Sequence, residues 1–351
     1  MNFSKEVKIS NFKINHQSKP FLVAEISANH NGRLQNAKDL MSAAMDSGAD
    51  AVKLQTYTPD TMTLDIDSND FKISGGLWDG YKLYDLYKEA HTPFEWHEEL
   101  FEHGQNIGLI VFSTPFDETA VDLLDSLNSP AIKIASFEMT DIPLVEYSTK
   151  CGVPIVISTG LASENEIYET LKSLSKRNFN DVVLLHCVSG YPTPYDQYNL
   201  STINLLREKF NILVGISDHT LGTEVAVSSV ALGAKLIEKH FIMNRSDGGP
   251  DSSFSLEPKE FYKLSTEVEN AWKAIGIPSF KQKKVEKENL KFRRSIYSCC
   301  KIKKGEVFTS ENIKRIRPGF GLEPKFYHEI IGKKSICNID AGTPIKKNHF
   351  E

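Results

Sequence analysis

At 351 residues, 40% of them hydrophobic, the chain is long enough to bury one large core and a second, smaller one. Its 41 Lys and Arg against 46 Asp and Glu leave a formal charge of −5, without the basic excess of a protein that coats nucleic acid or an anionic membrane. No stretch approaches the ~20 apolar residues of a membrane span, and the N-terminus has no apolar run behind a basic tip, so a cytoplasmic protein is expected. The five cysteines, with Cys299 and Cys300 adjacent, have neither disulfide-framework nor metal-type spacing and read as reduced and structural.

In chain order, short β-branched runs recur at 21–27, 51–56, 109–114, 131–136, 154–159, 182–187, 212–217 and 235–240. Amphipathic helical stretches such as "NAKDLMSAAMDSG" and "ETAVDLLDSL" fall between them. Eight strand–helix alternations are what a closed (β/α)8 TIM barrel requires, and it is favoured here over a doubly wound open sheet, which has the same alternation. The pattern is interrupted after the second run by a long insertion, residues 57–93, rich in glycine and aromatics, which reads as a lid or binding loop. Residues 1–279 are therefore expected to form the barrel domain. Residues 280–293 are charged and apolar-poor and read as a linker, and 294–351, with short strands and glycine turns, as a second small domain.

Catalytic groups of such barrels sit where strands end, and residues two apart on a strand face the same way. The run ends place Glu25 and Ser27 on the first strand, Lys53 and Gln55 on the second, and Lys133 on the fourth with Ser136 and Glu138 just beyond. The seventh, in "GISDHT", places Ser217 and His219, and the eighth, in "EKHF", Glu238 and His240. A lysine inside an apolar run must be deprotonated or have an anion beside it, and two of them suggest a site for a polyanion. The hydroxyls of Thr114, Ser136, Ser158 and Ser217 at four strand ends strengthen that reading and point to a phosphate, against the plainer reading of helix caps. His219 and His240 on neighbouring strands, with Asp218 and Glu238 beside them, read as two ligands of a divalent metal. His186 and Cys187 read as core residues, since no base or orienting group is evident from their spacing.

The motifs "VAEISANHNG", "AVKLQTY", "STPFD", "AIKIASFE", "ISTG", "YPTP", "GISDHT", "EKHF" and "GPDSSFS", followed by "RRSIY" and "RPGFG", resemble the sialic acid synthase family of phosphoenolpyruvate-dependent nonulosonate synthases. The resemblance runs from about Phe21 to the C-terminus, and the last ~60 residues are similar to the antifreeze-like (SAF) domain of that family. Within the family, "GGLWDGYKLYDLYKEAHTPFEWHEELFE" and "HCVSGYPTP", with Ser189 where Asn is usual, are more similar to the pseudaminic acid branch than to the N-acetylneuraminate or legionaminate branches.

The resemblance implies condensation of phosphoenolpyruvate with the open-chain aldehyde of a 2,4-diacetamido-2,4,6-trideoxy sugar. It implies that Lys53, Thr114, Lys133, Ser136, Ser158 and Ser217 hold phosphoenolpyruvate, and that Glu25 moves a proton. Gln55, Glu138, Tyr191 and Asp251 would then bind the sugar. His219 and His240 would bind Mn²⁺, with Mg²⁺ or Co²⁺ as alternatives. It further implies a domain-exchanged homodimer in which Arg317 serves the partner's site. A metal-dependent barrel hydrolase and a non-catalytic carbohydrate-binding protein remain the competing classes; the first usually has a His-x-His on strand one, where "EISANHNG" offers only His30.

Overall fold

A computed structural model describes residues 1–351 in two compact units, Met1–Gly276 and Ile277–Glu351. The first unit opens with a hairpin, β1 (Glu6–Ile9) and β2 (Phe12–Asn15), and continues with eight parallel strands. These are β3 (Phe21–Glu25), β4 (Ala51–Thr56), β5 (Ile110–Pro115), β6 (Ile132–Ile134), β7 (Ile155–Ser158), β8 (Val182–Cys187), β9 (Leu213–Asp218) and β10 (Leu236–His240). They close in the order β10-β3-β4-β5-β6-β7-β8-β9, so the alternation in the sequence resolves to the barrel and not the open sheet. Closure pairs Glu25 with Lys53 across β3 and β4, and with His240 across β3 and β10.

Strand pleating divides the barrel interior into two storeys. The lower storey holds Val23, Ala51, Phe112, Ala131, Val156, Leu185, Leu213 and Leu236, all buried in one apolar cluster. Two residues further along the same strands, and so on the same face, stand Glu25, Lys53, Thr114, Lys133, Ser158, Cys187 and Glu238; Ser217 lies four on from Leu213. The intervening position on β9 is Gly215, where a Cβ would collide with the Leu236 carbonyl and come within 2.7 Å of Leu185 Cδ2. The hairpin closes the bottom: Val7, Ile9 and Ile14 are buried in the same cluster, each worth about 1.5–3 kcal/mol on burial. Helices on the outside, such as Leu34–Asp46 and Glu118–Ser126, bury one face against the outward residues of the strands.

The insertion forms short helices, Pro59–Met62 and Leu83–Ala90, and an antiparallel bridge between Lys72 and Lys82. Its C-terminal base is tied to the barrel by two histidines. His97 donates through Nδ1 to the Pro93 carbonyl at 3.0 Å and meets Thr56 Oγ1 at 2.7 Å, while His30 Nε2 lies 3.2 Å from Thr92 Oγ1.

The second unit has strands β11 (Ser295–Ser298) and β12 (Ile313–Ile316) around a core of Ile296, Ile302, Phe308, Ile313, Ile330, Ile339 and Ile345. Within the stretch expected as a linker, Lys284–Phe292 is wound in exposed 3₁₀ turns, and the Lys291 carbonyl accepts from Gly319 N at 2.9 Å. All five cysteines are free, and no helix is long and apolar enough to cross a membrane.

Candidate active site

The upper storey opens into a cavity of about 460 Å³ at the C-terminal end of the strands. Its floor is a buried set of two lysines and two glutamates. Glu25 Oε2 forms an ion pair with Lys53 Nζ, which also donates to Thr114 Oγ1 at 2.8 Å. Glu25 Oε1 accepts from Ser27 N at 3.0 Å. Lys133 Nζ lies 3.6 Å from Glu238 Oε1, which accepts from Ser217 Oγ at 3.0 Å, while Glu238 Oε2 is buried without a hydrogen-bond partner.

Burial and neighbouring charge set the protonation of this floor. Burial, opposed by Lys53 and reinforced by Glu238, pushes Glu25 up to about 7. For Glu238 burial is outweighed by Lys133 and Lys53, which hold it below the usual carboxylate value. Burial lowers Lys53 less than Glu238 and Glu25 raise it, so it stays charged; Lys133, buried and close to Lys53, is pulled below the ordinary lysine value. The anions that two in-strand lysines demand are thus supplied by the chain's own carboxylates, and not by a ligand alone.

His219 and His240 stand side by side on the rim, ring centroids 5.4 Å apart. Burial lowers both, so both imidazoles are neutral. His219 Nδ1 donates to the Val188 carbonyl at 3.0 Å, which leaves its Nε2 lone pair free. His240 Nδ1 is buried without a hydrogen-bond partner, 3.8 Å from Asp251 Oδ2. Two neutral nitrogens, one of them orphaned, fit a divalent cation; no group of three or more His, Cys, Asp and Glu is placed to cage one.

The structure gathers Gln55, Ser136, Ser158, Glu138, Tyr191 and Asp251 on the same cavity. The hydroxyls are not helix caps: those roles fall to Asp117, Asp141 and Ser163, further along each loop. Ser136 and Ser189 share a 2.8 Å hydrogen bond, and Ser158 Oγ is buried without a partner, open to a ligand. Thr114 is fully buried and does not line the cavity; its hydroxyl accepts a hydrogen bond from the Lys53 ammonium.

Asp218, read beside the histidines in the sequence, points out of the barrel into a buried ion pair with Lys239 at 2.8 Å and takes no part in the site. His186 is a core residue, held by the Tyr198 carbonyl at 2.7 Å, but Cys187 lines the cavity, its thiol pushed up by burial to about 11. Arg317 belongs to the second unit, exposed directly after β12. Glu238, Ser27 and Trp78 are among the cavity residues that strand-end reasoning left without a role. Period two pointed to the first two; nothing local marked Trp78.

This barrel, with its acid–lysine floor and paired histidines, has clear relatives. The chain belongs to the NeuB family, which it matches over residues 40–279, and carries a SAF domain at 293–351. It is 45% identical over 345 residues to the pseudaminic acid synthase of Campylobacter jejuni, covering 98% of this chain and 100% of that one. To the N,N'-diacetyllegionaminic acid synthase of the same species it is 36% identical over 333 residues, covering 94% and 99%. Among solved structures, the N-acetylneuraminic acid synthetase from Leptospira borgpetersenii in complex with citrate aligns with a TM-score of 0.73 at 32% identity, covering 83% of this chain and 97% of that one.

Glu138 offers a test of how dry this cavity is. Burial pushes it from 4.5 up to about 7, so between those pH values the native state holds more protons than the unfolded chain and stability falls as pH rises. Glu138→Gln removes that slope. The melting temperature of the variant minus that of the wild type should climb from about pH 4.5 to 7 and level off above. A difference that stays flat across this window contradicts a buried, proton-holding Glu138.

Proposed function

We propose that the protein is a pseudaminic acid synthase, condensing phosphoenolpyruvate with open-chain 2,4-diacetamido-2,4,6-trideoxy-L-altrose to give the nine-carbon 2-keto acid and phosphate. As a NeuB-family member it is an enzyme of the sialic acid and nonulosonate synthase class. The observation that carries the reading is the cavity floor: two buried lysines and a set of hydroxyls below two neutral histidines. Greater similarity to the pseudaminic acid synthase than to the legionaminic acid synthase supports the choice of sugar.

Lys53, Lys133, Ser136, Ser158 and Ser217 bind the carboxylate and phosphate of phosphoenolpyruvate, and Thr114 holds Lys53 in place. Fixed there, carbon 3 of phosphoenolpyruvate forms a bond to the aldehyde carbon as its π electrons shift, leaving cationic character at carbon 2. Water adds at carbon 2, and the resulting tetrahedral centre expels phosphate with cleavage of the carbon–oxygen bond. Glu25, poised near neutrality, exchanges the protons of the attacking water or the new sugar hydroxyl. Gln55, Glu138, Tyr191 and Asp251 orient the sugar. His219 and His240 would hold a divalent metal, Mn²⁺ fitting best and Mg²⁺ or Co²⁺ serving, which would polarise the aldehyde oxygen.

We further propose that the working enzyme is a homodimer in which the second unit of one chain serves the barrel of the other and Arg317 contacts the sugar. Charge supports this. The barrel unit carries 38 Asp and Glu against 23 Lys and Arg, whereas the second unit carries 18 Lys and Arg against 8 Asp and Glu. Arg317 presents a planar donor fork suited to an acetamido carbonyl.

Mass spectrometry of the product formed with Mn²⁺, phosphoenolpyruvate and each of three sugars tests the function. The diacetamido altrose sugar should give a nonulosonate, and turnover of N-acetylmannosamine alone contradicts the reading. Mixing inactive Arg317→Ala and Glu25→Ala chains under subunit exchange tests the dimer. Mixed dimers should regain one complete site, and a proven heterodimer no more active than its parents rules the exchange out.

A further inference from the structure

The cavity has two chemically different halves, and the chemistry above uses only the one built from the strand ends and the loops that follow them. The upper wall comes from the insertion: Met62, Ile73, Trp78, Leu86 and Tyr87 line it. Residues 57–93 contain ten charged side chains, yet none of them lines the cavity. With its charges left to solvent, the insertion presents an apolar face to the cavity. Trp78 is its largest member. Its indole N–H donates to the Pro250 carbonyl at 3.0 Å, next to Asp251, so the insertion is latched to the loop that follows β10. Its ring lies 5.6 Å from that of Tyr191, which in turn stacks 4.4 Å from His219. A continuous aromatic path therefore runs from the insertion to the histidine rim where the sugar must be held.

We propose that this wall is the specificity surface of the enzyme: it selects sugars whose groups on that side end in methyls, such as a 6-deoxy carbon and acetamido termini, over sugars with a hydroxymethyl there. The inference rests on the reading of the site as a sugar-condensing one. Placing a hydroxyl against Trp78, Ile73 and Leu86 strips it of water without a partner in return. An apolar pocket rejects an added hydroxyl by about 10²-fold at most, and one methyl group is worth roughly 10–200-fold, so the wall sets a preference and not an absolute choice.

The test compares kcat/KM for 2,4-diacetamido-2,4,6-trideoxy-L-altrose and its 6-hydroxy congener in the wild type, Trp78→Ala, Trp78→Phe and Ile73→Ser, at saturating phosphoenolpyruvate. Trp78→Ala and Ile73→Ser should lower kcat/KM for the deoxy sugar about 10-fold or more, mainly through KM. The 6-hydroxy sugar should lose much less, so that the preference collapses while the KM for phosphoenolpyruvate stays put. Trp78→Phe keeps an aromatic face and loses the donor to Pro250; it should retain the preference. Variants with wild-type melting temperatures and an undiminished preference overturn the inference while leaving the function intact. So does a Trp78→Phe enzyme as unselective as Trp78→Ala, since the latch and not the apolar face would then be responsible. Should Trp78→Ala fail to fold, Ile73→Ser decides alone. A wild type that turns over only N-acetylmannosamine sinks the assigned function and this inference with it.

Discussion

Two lysines and two glutamates, Lys53 with Glu25 and Lys133 with Glu238, are buried together in the upper storey of the barrel. Desolvating an ion costs several kcal/mol, and removing one partner of such a pair leaves the other uncompensated at about 3–5 kcal/mol. These four side chains are therefore expensive to keep and expensive to break. Their retention makes sense as preorganisation. The ammonium groups are held in place before any substrate arrives, and a bound polyanion meets fixed positive charge with little reorganisation. Around them Glu238 Oε2, Ser158 Oγ and His240 Nδ1 are buried without a hydrogen-bond partner.

The rest of the unit serves that arrangement. Register across β3, β4 and β10 puts Glu25 level with both Lys53, its ion-pair partner, and His240 on the neighbouring strand. The apolar storey below and the hairpin plug keep water from entering beneath, which maintains the low dielectric on which the raised Glu25 and the neutral histidines depend. Above, the insertion is anchored at its base by His97 and His30 and at its tip by Trp78, and covers a polar floor with an apolar wall.

Much of this was legible in the residues because two periodicities carry it. Alternation of strand and helix gave eight strands within one or two residues of their ends, and period two placed Lys53, Lys133, Ser217 and Glu238 on the inner face. Pattern failed where direction or distance decides. Asp218 sits beside His219 in sequence but faces outward, as strand pleating requires, and meets Lys239. Thr114 has the right spacing yet lies behind Lys53. The hairpin's signal was present in the buried positions Val7, Ile9 and Ile14 of "EVKISNFKIN", but two four-residue strands are too short to stand out. Trp78 is invisible to periodicity, because a loop side chain reaches its site through the path of the chain and not through any repeat.

In the proposed reaction the floor holds phosphoenolpyruvate for attack through carbon 3, with water entering at carbon 2, so that the carbon–oxygen bond breaks. Phosphoenolpyruvate labelled with ¹⁸O in the bridging position reports this directly. A condensing enzyme must deliver the label to inorganic phosphate, and phosphate must appear only when sugar is present. Label retained in pyruvate, with phosphate released without sugar, would show attack at phosphorus and contradict the account.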